Sequence, residues 1–143
     1  MPFTELPHTG DIRYRVTGAT REELFADAAK ALFSTITDLD KVEAKDERRI
    51  EAFGQVDEEL FINFLRKALD LFNDDGFVAR DCRITFLGID GSDWLCSIQA
   101  TLTGERFDRK KHPYRTEIKA VTYHGAELKQ TQEGWKATFT LDL

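Results

Sequence analysis

Three short segments of the sequence carry the residues that could do chemistry, and they lie far apart along the chain. The segments are His8-Thr-Gly-Asp-Ile12, Glu117-Ile-Lys-Ala-Val-Thr-Tyr-His124 and Leu141-Asp142-Leu143. The three histidines of the chain, His8, His112 and His124, all lie in or beside polar clusters of this kind, outside the helical stretches. We interpret this pattern as a site assembled from distant segments.

Oxygen donors are the first candidates for that site. Side chains alternate between the two faces of a strand, so Asp142 points away from its apolar neighbours, and so does Asp11. Leu143 adds an α-carboxylate beside Asp142. These hard oxygen donors suit Ca²⁺, Mg²⁺ or Mn²⁺ better than a structural zinc ion, whereas imidazoles from His8 and His124 would favour a transition metal. The alternative is that the terminal carboxylate is simply solvated.

The charge distribution limits the partners. The net charge of −6 works against free-standing nucleic-acid binding through phosphates. One segment is basic and contains Arg106, Arg109, Lys110, Lys111, Arg115 and Lys119 against only Asp108 and Glu117. This segment is either a solvated loop that leads into a strand or a docking patch for an acidic or phosphate-bearing surface.

Length and composition predict one domain over residues 1–143. Cys82 and Cys96 lie in strand-like runs without a CxxC pair, so we expect small apolar core thiols. No apolar stretch approaches the ~20 residues of a membrane span, and the first residues do not resemble a signal peptide. We therefore expect a soluble, cytoplasmic protein.

Two helices can be read from helical spacing of apolar residues. Thr20 and Glu23 form a capping box before the first helix, which should extend to about Thr37. Asp57 is the predicted N-cap of the second helix, and Gly76 suits its left-handed C-terminal cap. The apolar stripes are Leu24, Phe25, Ala28, Ala29, Leu32, Phe33 and Ile36 in the first helix, and Leu60, Phe61, Phe64, Leu65, Ala68, Leu69 and Phe72 in the second. Both stripes are one-sided and predict packing on a sheet.

The rest of the chain alternates at the period of a β-strand. Strands are predicted at residues 12–16, 48–53, 82–86, 96–102, 117–124, around Leu128 and at 135–143, with turns at Asp90-Gly91 and Glu133-Gly134. The predicted fold class is α+β: a two-layer sandwich with two amphipathic helices packed on a largely antiparallel or mixed β-sheet.

The polar segments resemble those of a known protein family, the archeases. The matching segments are His8-Thr-Gly-Asp-Ile12, Leu71-Phe-Asn-Asp-Asp-Gly-Phe77, Gly104-Glu-Arg-Phe-Asp108, Lys111-His112, Glu117-Ile-Lys-Ala-Val-Thr-Tyr-His124 and Phe139-Thr-Leu-Asp-Leu143. The resemblance runs from end to end with the segments in family order. Gly10 replaces the usual Ala, and Leu143 stands where many members end in Ile, but neither change removes a polar donor.

The resemblance implies an accessory protein and not a stand-alone enzyme. Archeases assist the RtcB-type RNA ligase of tRNA splicing and RNA repair: they promote its guanylylation, allow multiple turnover and broaden its nucleotide use. The family's metal ligands correspond to Asp11, Asp142 and Leu143, and calcium is the usual metal, with Mg²⁺, Mn²⁺ and Zn²⁺ as alternatives. Candidates for a further site or partner contact are His8, Lys111, His112, Glu117, Lys119 and His124.

Two other classes of function remain open from the sequence. A metal-dependent hydrolase would use Asp11, Asp142 and the histidines, but the chain contains no HExxH motif and no Ser or Cys nucleophile signature. An RNA-binding or chaperone-like module would use the basic segment. The net charge and the lack of a recognisable aromatic stacking motif argue against it.

Overall fold

The structure is a computed structural model that describes residues 3–6, 10–90 and 95–143. Within those ranges the elements are β1 (Phe3–Leu6), β2 (Asp11–Gly18), α1 (Arg21–Ile36), a 3-10 turn (Leu39–Lys41), β3 (Asp46–Gly54), α2 (Asp57–Asp75), β4 (Phe77–Asp90), β5 (Leu95–Arg106), β6 (Ala120–Thr131) and β7 (Gly134–Asp142). No described helix is both long and apolar enough to cross a membrane.

The predicted α+β class is confirmed, but the described strands form two sheets where the sequence predicted one. One sheet has the order β1-β2-β7-β6 and the other β3-β5-β4, and every strand pair in them is antiparallel. Helix α1 packs against β2 and β4, and α2 packs against β3 and β6, so each helix contacts both sheets. Ala31 and Ile62 lie outside the predicted stripes and are nevertheless fully buried, because each helix has a second covered side.

The helix boundaries follow the sequence closely. The Thr20 hydroxyl accepts the N–H of Glu23 at 3.1 Å, while the Glu23 carboxylate accepts the N–H of Ala19 at 3.0 Å. The N-cap predicted at Asp57 is wrong by one residue: Val56 occupies that position, and Asp57 lies in the first turn, where it pairs with Arg21. Gly76 ends α2 in the left-handed conformation, at φ 67°.

The strand predictions hold for the hairpins and fail at two places. The segment predicted as a strand over residues 117–124 becomes a strand only at Ala120, and β1 was not predicted. The predicted turn at Asp90-Gly91 lies partly outside the described residues. Both cysteines are free and half-buried. Burial, together with the carboxylates of Asp27 and Asp81, raises the pKa of the Cys82 thiol to about 12, as suits an inert core thiol.

Candidate functional site

The two candidate aspartates are direct neighbours across two strands. Asp11 at the start of β2 and Asp142 at the end of β7 are Cα partners in the antiparallel ladder. Residues that face each other in this way have their side chains on the same face of the sheet, with Cβ atoms roughly 4.5–5.5 Å apart. Asp142 is exposed and Asp11 is half-buried. Two segments from opposite ends of the chain therefore meet at one end of the sheet.

The third polar segment reaches the same end of the sheet. Ala120 of β6 is the partner of Asp142 on its other side, and the backbone N–H of Lys119 donates to the Asp142 carbonyl at 2.8 Å. This bond holds the irregular residues 117–119 beside the end of β7. The side chains of Glu117 and Lys119 in this segment are exposed.

The donor chemistry at this end fits a hard divalent cation. Two adjacent carboxylates repel each other, and a cation between them would offset that repulsion. Leu143 directly follows Asp142 and is half-buried against the core. In the described part of the chain, no three His, Cys, Asp or Glu side chains converge on one point, so the side-chain donors of the candidate site are two carboxylates. His8 lies outside the described residues.

His124 is placed by a bulge in β6. The register of the β6–β7 pairing shifts between Thr122 and Glu127, and Gly125 adopts a positive φ of 68°. The His124 carbonyl accepts a hydrogen bond from the Thr140 hydroxyl at 3.0 Å. Thr140 precedes Asp142 by two residues, so the bulge crosses the face that carries the aspartate pair. The side chain of His124 is exposed beside that face.

Lys111 and His112 are tied to a buried carboxylate. The Lys111 ammonium lies 2.7 Å from Glu43 and 2.8 Å from Glu105. His112 is 1% exposed, and its Nδ1 accepts the N–H of Asp108 at 2.9 Å. Because Nδ1 accepts, the proton of the neutral ring is on Nε2, which donates to Glu105 at 2.9 Å.

Glu105 is held in its ionised form. Burial works to raise its pKa, but donors from Lys111, the Glu43 N–H and His112 outweigh that effect and lower the pKa to about 2. The Lys111 charge is thus paired with Glu43 and Glu105, and His112 is inaccessible to a partner. These two residues fix the conformation of the loop between β5 and β6.

Fewer basic side chains are exposed on the surface of that loop than the basic segment of the sequence contains. Arg109 lies over the Tyr114 ring, at 5.8 Å from its centroid, and Tyr114 also packs on Phe72 and Phe107. Tyr114 is 43% exposed. Arg115 donates to the Ser34 carbonyl at 3.3 Å. The side chains left exposed near Tyr114 include Arg106, Arg109 and Lys110. Sequence reasoning missed this aromatic cluster, although two aromatic residues inside a basic loop were a signal for it.

Fold and site together define a small α+β protein with an aspartate pair at one sheet end and a basic loop clamped by a buried glutamate. The Archease protein family (MTH1598/TM1083) matches residues 3–143. The chain is 38% identical to protein archease of Methanosarcina barkeri, over 99% of this chain and 95% of the relative. It is also 38% identical to protein archease of Methanopyrus kandleri over the full length of both. The chain belongs to the archease family.

Solved structures agree with this assignment. The solution structure of Methanobacterium thermoautotrophicum protein 1598 superposes with a TM-score of 0.82 at 30% identity, over 99% of both chains. The crystal structure of a Thermotoga maritima archease, described as a possible chaperone, has a TM-score of 0.57 at 19% identity, over 96% of this chain and 94% of that one. The latter comparison supports the fold alone.

Proposed function

We propose that this protein is an accessory factor of an RtcB-type RNA ligase that promotes guanylylation of the ligase, supports its multiple turnover and broadens its nucleotide use. Membership of the archease family supports the proposal. The observation that carries it is the Asp11–Asp142 pair, which lies beside Lys119 at an exposed sheet end. In this proposal the protein performs no catalysis by itself and acts at the ligase by contact.

The proposed metal site consists of Asp11, Asp142 and the α-carboxylate of Leu143, with Ca²⁺ as the expected ion and Mg²⁺, Mn²⁺ or Zn²⁺ as alternatives. A cation held there would stabilise negative charge on phosphate oxygens when the ligase and its nucleotide are engaged. The two aspartates would hold the ion at the sheet end, and the Lys119 N–H would keep the Asp142 main chain in position. His124, from the bulge, lies on the same side and is a candidate for a contact with the partner.

The basic loop is the proposed contact with the ligase or its substrate. Arg106, Arg109 and Lys110 supply exposed positive charge, and Tyr114 supplies an exposed ring. Lys111 and His112 contribute indirectly, because their bonds to Glu105 hold the loop in place. Electrostatic contacts of this kind raise the rate of association and are weakened by salt.

A turnover assay tests the proposal. The cognate ligase is measured with and without this protein at one-tenth of its concentration, and products are counted per ligase molecule. We expect multiple turnover only when the protein is present, and no ligation or nucleotide hydrolysis by the protein alone. Robust phosphodiesterase activity without ligase, lost in Asp11→Ala, would instead support a metal-dependent hydrolase. A filter-binding salt titration of the isolated protein with RNA tests the RNA-binding alternative.

A further inference from the structure

Strand β3 has an open edge. It is the outer strand of the β3-β5-β4 sheet, with β5 on its inner side. In an antiparallel pair, alternate residues direct both their N–H and C=O toward the neighbouring strand, and the residues between them direct both groups away. Alternate residues of β3 therefore direct their backbone N–H and C=O groups to the open edge.

Two hydrogen bonds independently identify the β3 residues whose backbone groups point outward. The Asn63 side chain of α2 donates to the Phe53 carbonyl at 2.8 Å, so the backbone groups of Phe53 point away from β5. On the far side of β5, the Thr85 hydroxyl donates to the Gln99 carbonyl at 3.1 Å, so Gln99 points to β4. Gln99 is the partner of Glu51 in the β3–β5 register. Arg49, Glu51 and Phe53 therefore direct their backbone groups to the open edge.

These outward groups face a groove. The groove has a volume of about 660 Å³ and is lined by residues 49–53 of β3 and by Asn63, Arg66, Lys67, Asp70 and Leu71 of α2. Five strand residues span about 17 Å, which is the length of a typical short strand. No described residue hydrogen-bonds to the backbone groups of Arg49 or Glu51 that face this groove.

Side chains of α2 contact β3 at both ends of the groove. Asn63 occupies the Phe53 carbonyl at one end, and Asp75 holds Arg48 at 2.9 Å at the other. Arg66 of the same helix also covers part of the edge of β6, since it donates to the Val121 carbonyl at 3.0 Å. Natural proteins cover strand edges in this manner because an open edge pairs with other chains. The stretch around Glu51 is left uncovered.

We propose that this groove binds an extended peptide segment of a protein partner, which pairs with β3 as a fourth strand of the β3-β5-β4 sheet. An extended backbone is the ligand whose donors and acceptors match the outward groups of Arg49 and Glu51 at their two-residue spacing, with the N–H of Phe53 as the next donor along the edge. Because α2 forms the other wall, a single strand fits beside β3. A second copy of this chain would bring its own α2 into the same space.

The side chains of the strand residues define the chemistry of that segment. Phe53 is 41% exposed on the outer face, so an apolar residue opposite it would bury the ring. A basic residue fits opposite Glu51, and an acidic residue fits opposite Arg49. In antiparallel pairing these residues follow one another at every second position. This groove lies on the other sheet from the aspartate pair, and its occupation does not depend on the proposed ligase function.

The test uses the full chain and a capped heptapeptide, Thr-Phe-Thr-Lys-Thr-Glu-Thr. We expect saturable binding by fluorescence anisotropy, with amide shifts at Arg49, Glu51 and Phe53 in NMR spectra. Glu51→Pro removes one outward N–H and leaves the β5 ladder intact, since proline is tolerated on an edge strand. Glu51→Gln is the matched control because it removes the same charge and keeps the N–H. We expect the proline variant to bind about tenfold more weakly than the glutamine variant.

A second arm needs no protein variant. The same peptide carrying N-methyl groups on its Lys and Glu residues cannot donate to β3, and we expect its affinity to fall by about tenfold or more. Absence of saturable binding, equal affinity of the methylated peptide, or equal affinity of the Glu51→Pro and Glu51→Gln proteins would each overturn the proposal. A concentration-dependent dimer in sedimentation that Glu51→Pro abolishes would assign the edge to a second copy and also overturn it.

Discussion

Asp11 and Asp142 face each other across the β2–β7 ladder, although they lie at opposite ends of the chain. Like charges at directly opposed positions destabilise a sheet. A protein of net charge −6 thus places two carboxylates side by side at one end of the sheet. This relationship is the basis of the proposed cation site, because the fold itself gains no stability from two opposed carboxylates.

Removal of either carboxylate should abolish stimulation of the ligase without unfolding the protein. We expect Asp11→Ala and Asp142→Ala to keep the far-UV circular dichroism of the wild type, because neither change opens a core cavity. Without metal the thermal midpoint of Asp142→Ala should be equal to or slightly above the wild-type value, since the repulsion is relieved. The measurements are ligase turnover and thermal unfolding with and without Ca²⁺.

Leu65→Ala is the structural control for these variants. Leu65 is fully buried in α2, and its truncation should cost about 2–5 kcal/mol of unfolding free energy. Aspartate variants that lose as much stability as this control would show a structural role for the pair. Aspartate variants that fold and still activate the ligase fully would indicate that the basic loop, and not the aspartate pair, is needed for activation.

The end of the chain should be sensitive to extension. If the α-carboxylate of Leu143 is a ligand, a C-terminal tag should weaken Ca²⁺ binding in calorimetry and reduce ligase activation, whereas an N-terminal tag should have a smaller effect. Leu143→Ile keeps the carboxylate and a similar apolar volume, so it should behave as the wild type. Unchanged Ca²⁺ affinity in the C-terminally tagged protein would remove this group from the site.

The Glu105 clamp should give a defined pH dependence. Its folded-state pKa of about 2 lies below the ordinary glutamate value of about 4.3, so its ionised form stabilises the fold above the ordinary value. That stability is lost as the pH falls from about 4.3 to 2. We expect Glu105→Gln to cost about 1–3 kcal/mol at pH 7, and the difference from the wild type to shrink across this window.

Chemical denaturation at pH 7, 4 and 2.5 measures this dependence. Glu47→Gln is a suitable control, because Glu47 is exposed near the start of β3. It should change the unfolding free energy by less than about 0.5 kcal/mol. A difference between Glu105→Gln and wild type that stays constant with pH would contradict the assignment of an ionised, clamped carboxylate.

Charge reversal in the basic loop should weaken partner engagement and leave the fold intact. Arg109→Glu with Lys110→Glu changes two exposed side chains, and we expect a higher protein concentration for half-maximal ligase activation. The defect should be larger at low salt than at high salt, because salt screens exposed charges. Arg83→Glu, on the outer face of β4, is the control at an exposed arginine elsewhere. An equal defect in that control would point to net charge as the cause.

Local sequence patterns predicted the elements of this protein well. The capping box at Thr20, the left-handed cap at Gly76 and the buried stripes of both helices follow from helical periodicity and backbone chemistry. Alternation also placed Asp11 and Asp142 on polar faces, because the two-residue period of a strand requires only the neighbouring residues. The resemblance to the archeases rested on short motifs of the same local kind.

Tertiary structure decided which of these elements meet. The β2–β7 register, which pairs Asp11 with Asp142, depends on contacts between the two ends of the chain. The division of the strands into two sheets depends on helices buried on two sides, and a one-sided stripe did not reveal this. The same holds for Lys111 and His112: the sequence shows a basic segment, whereas the structure pairs the Lys111 ammonium with the distant Glu43 and with Glu105, and buries His112 against Glu105. Periodicity specifies which face a residue occupies, but only the packed chain specifies what lies opposite that face.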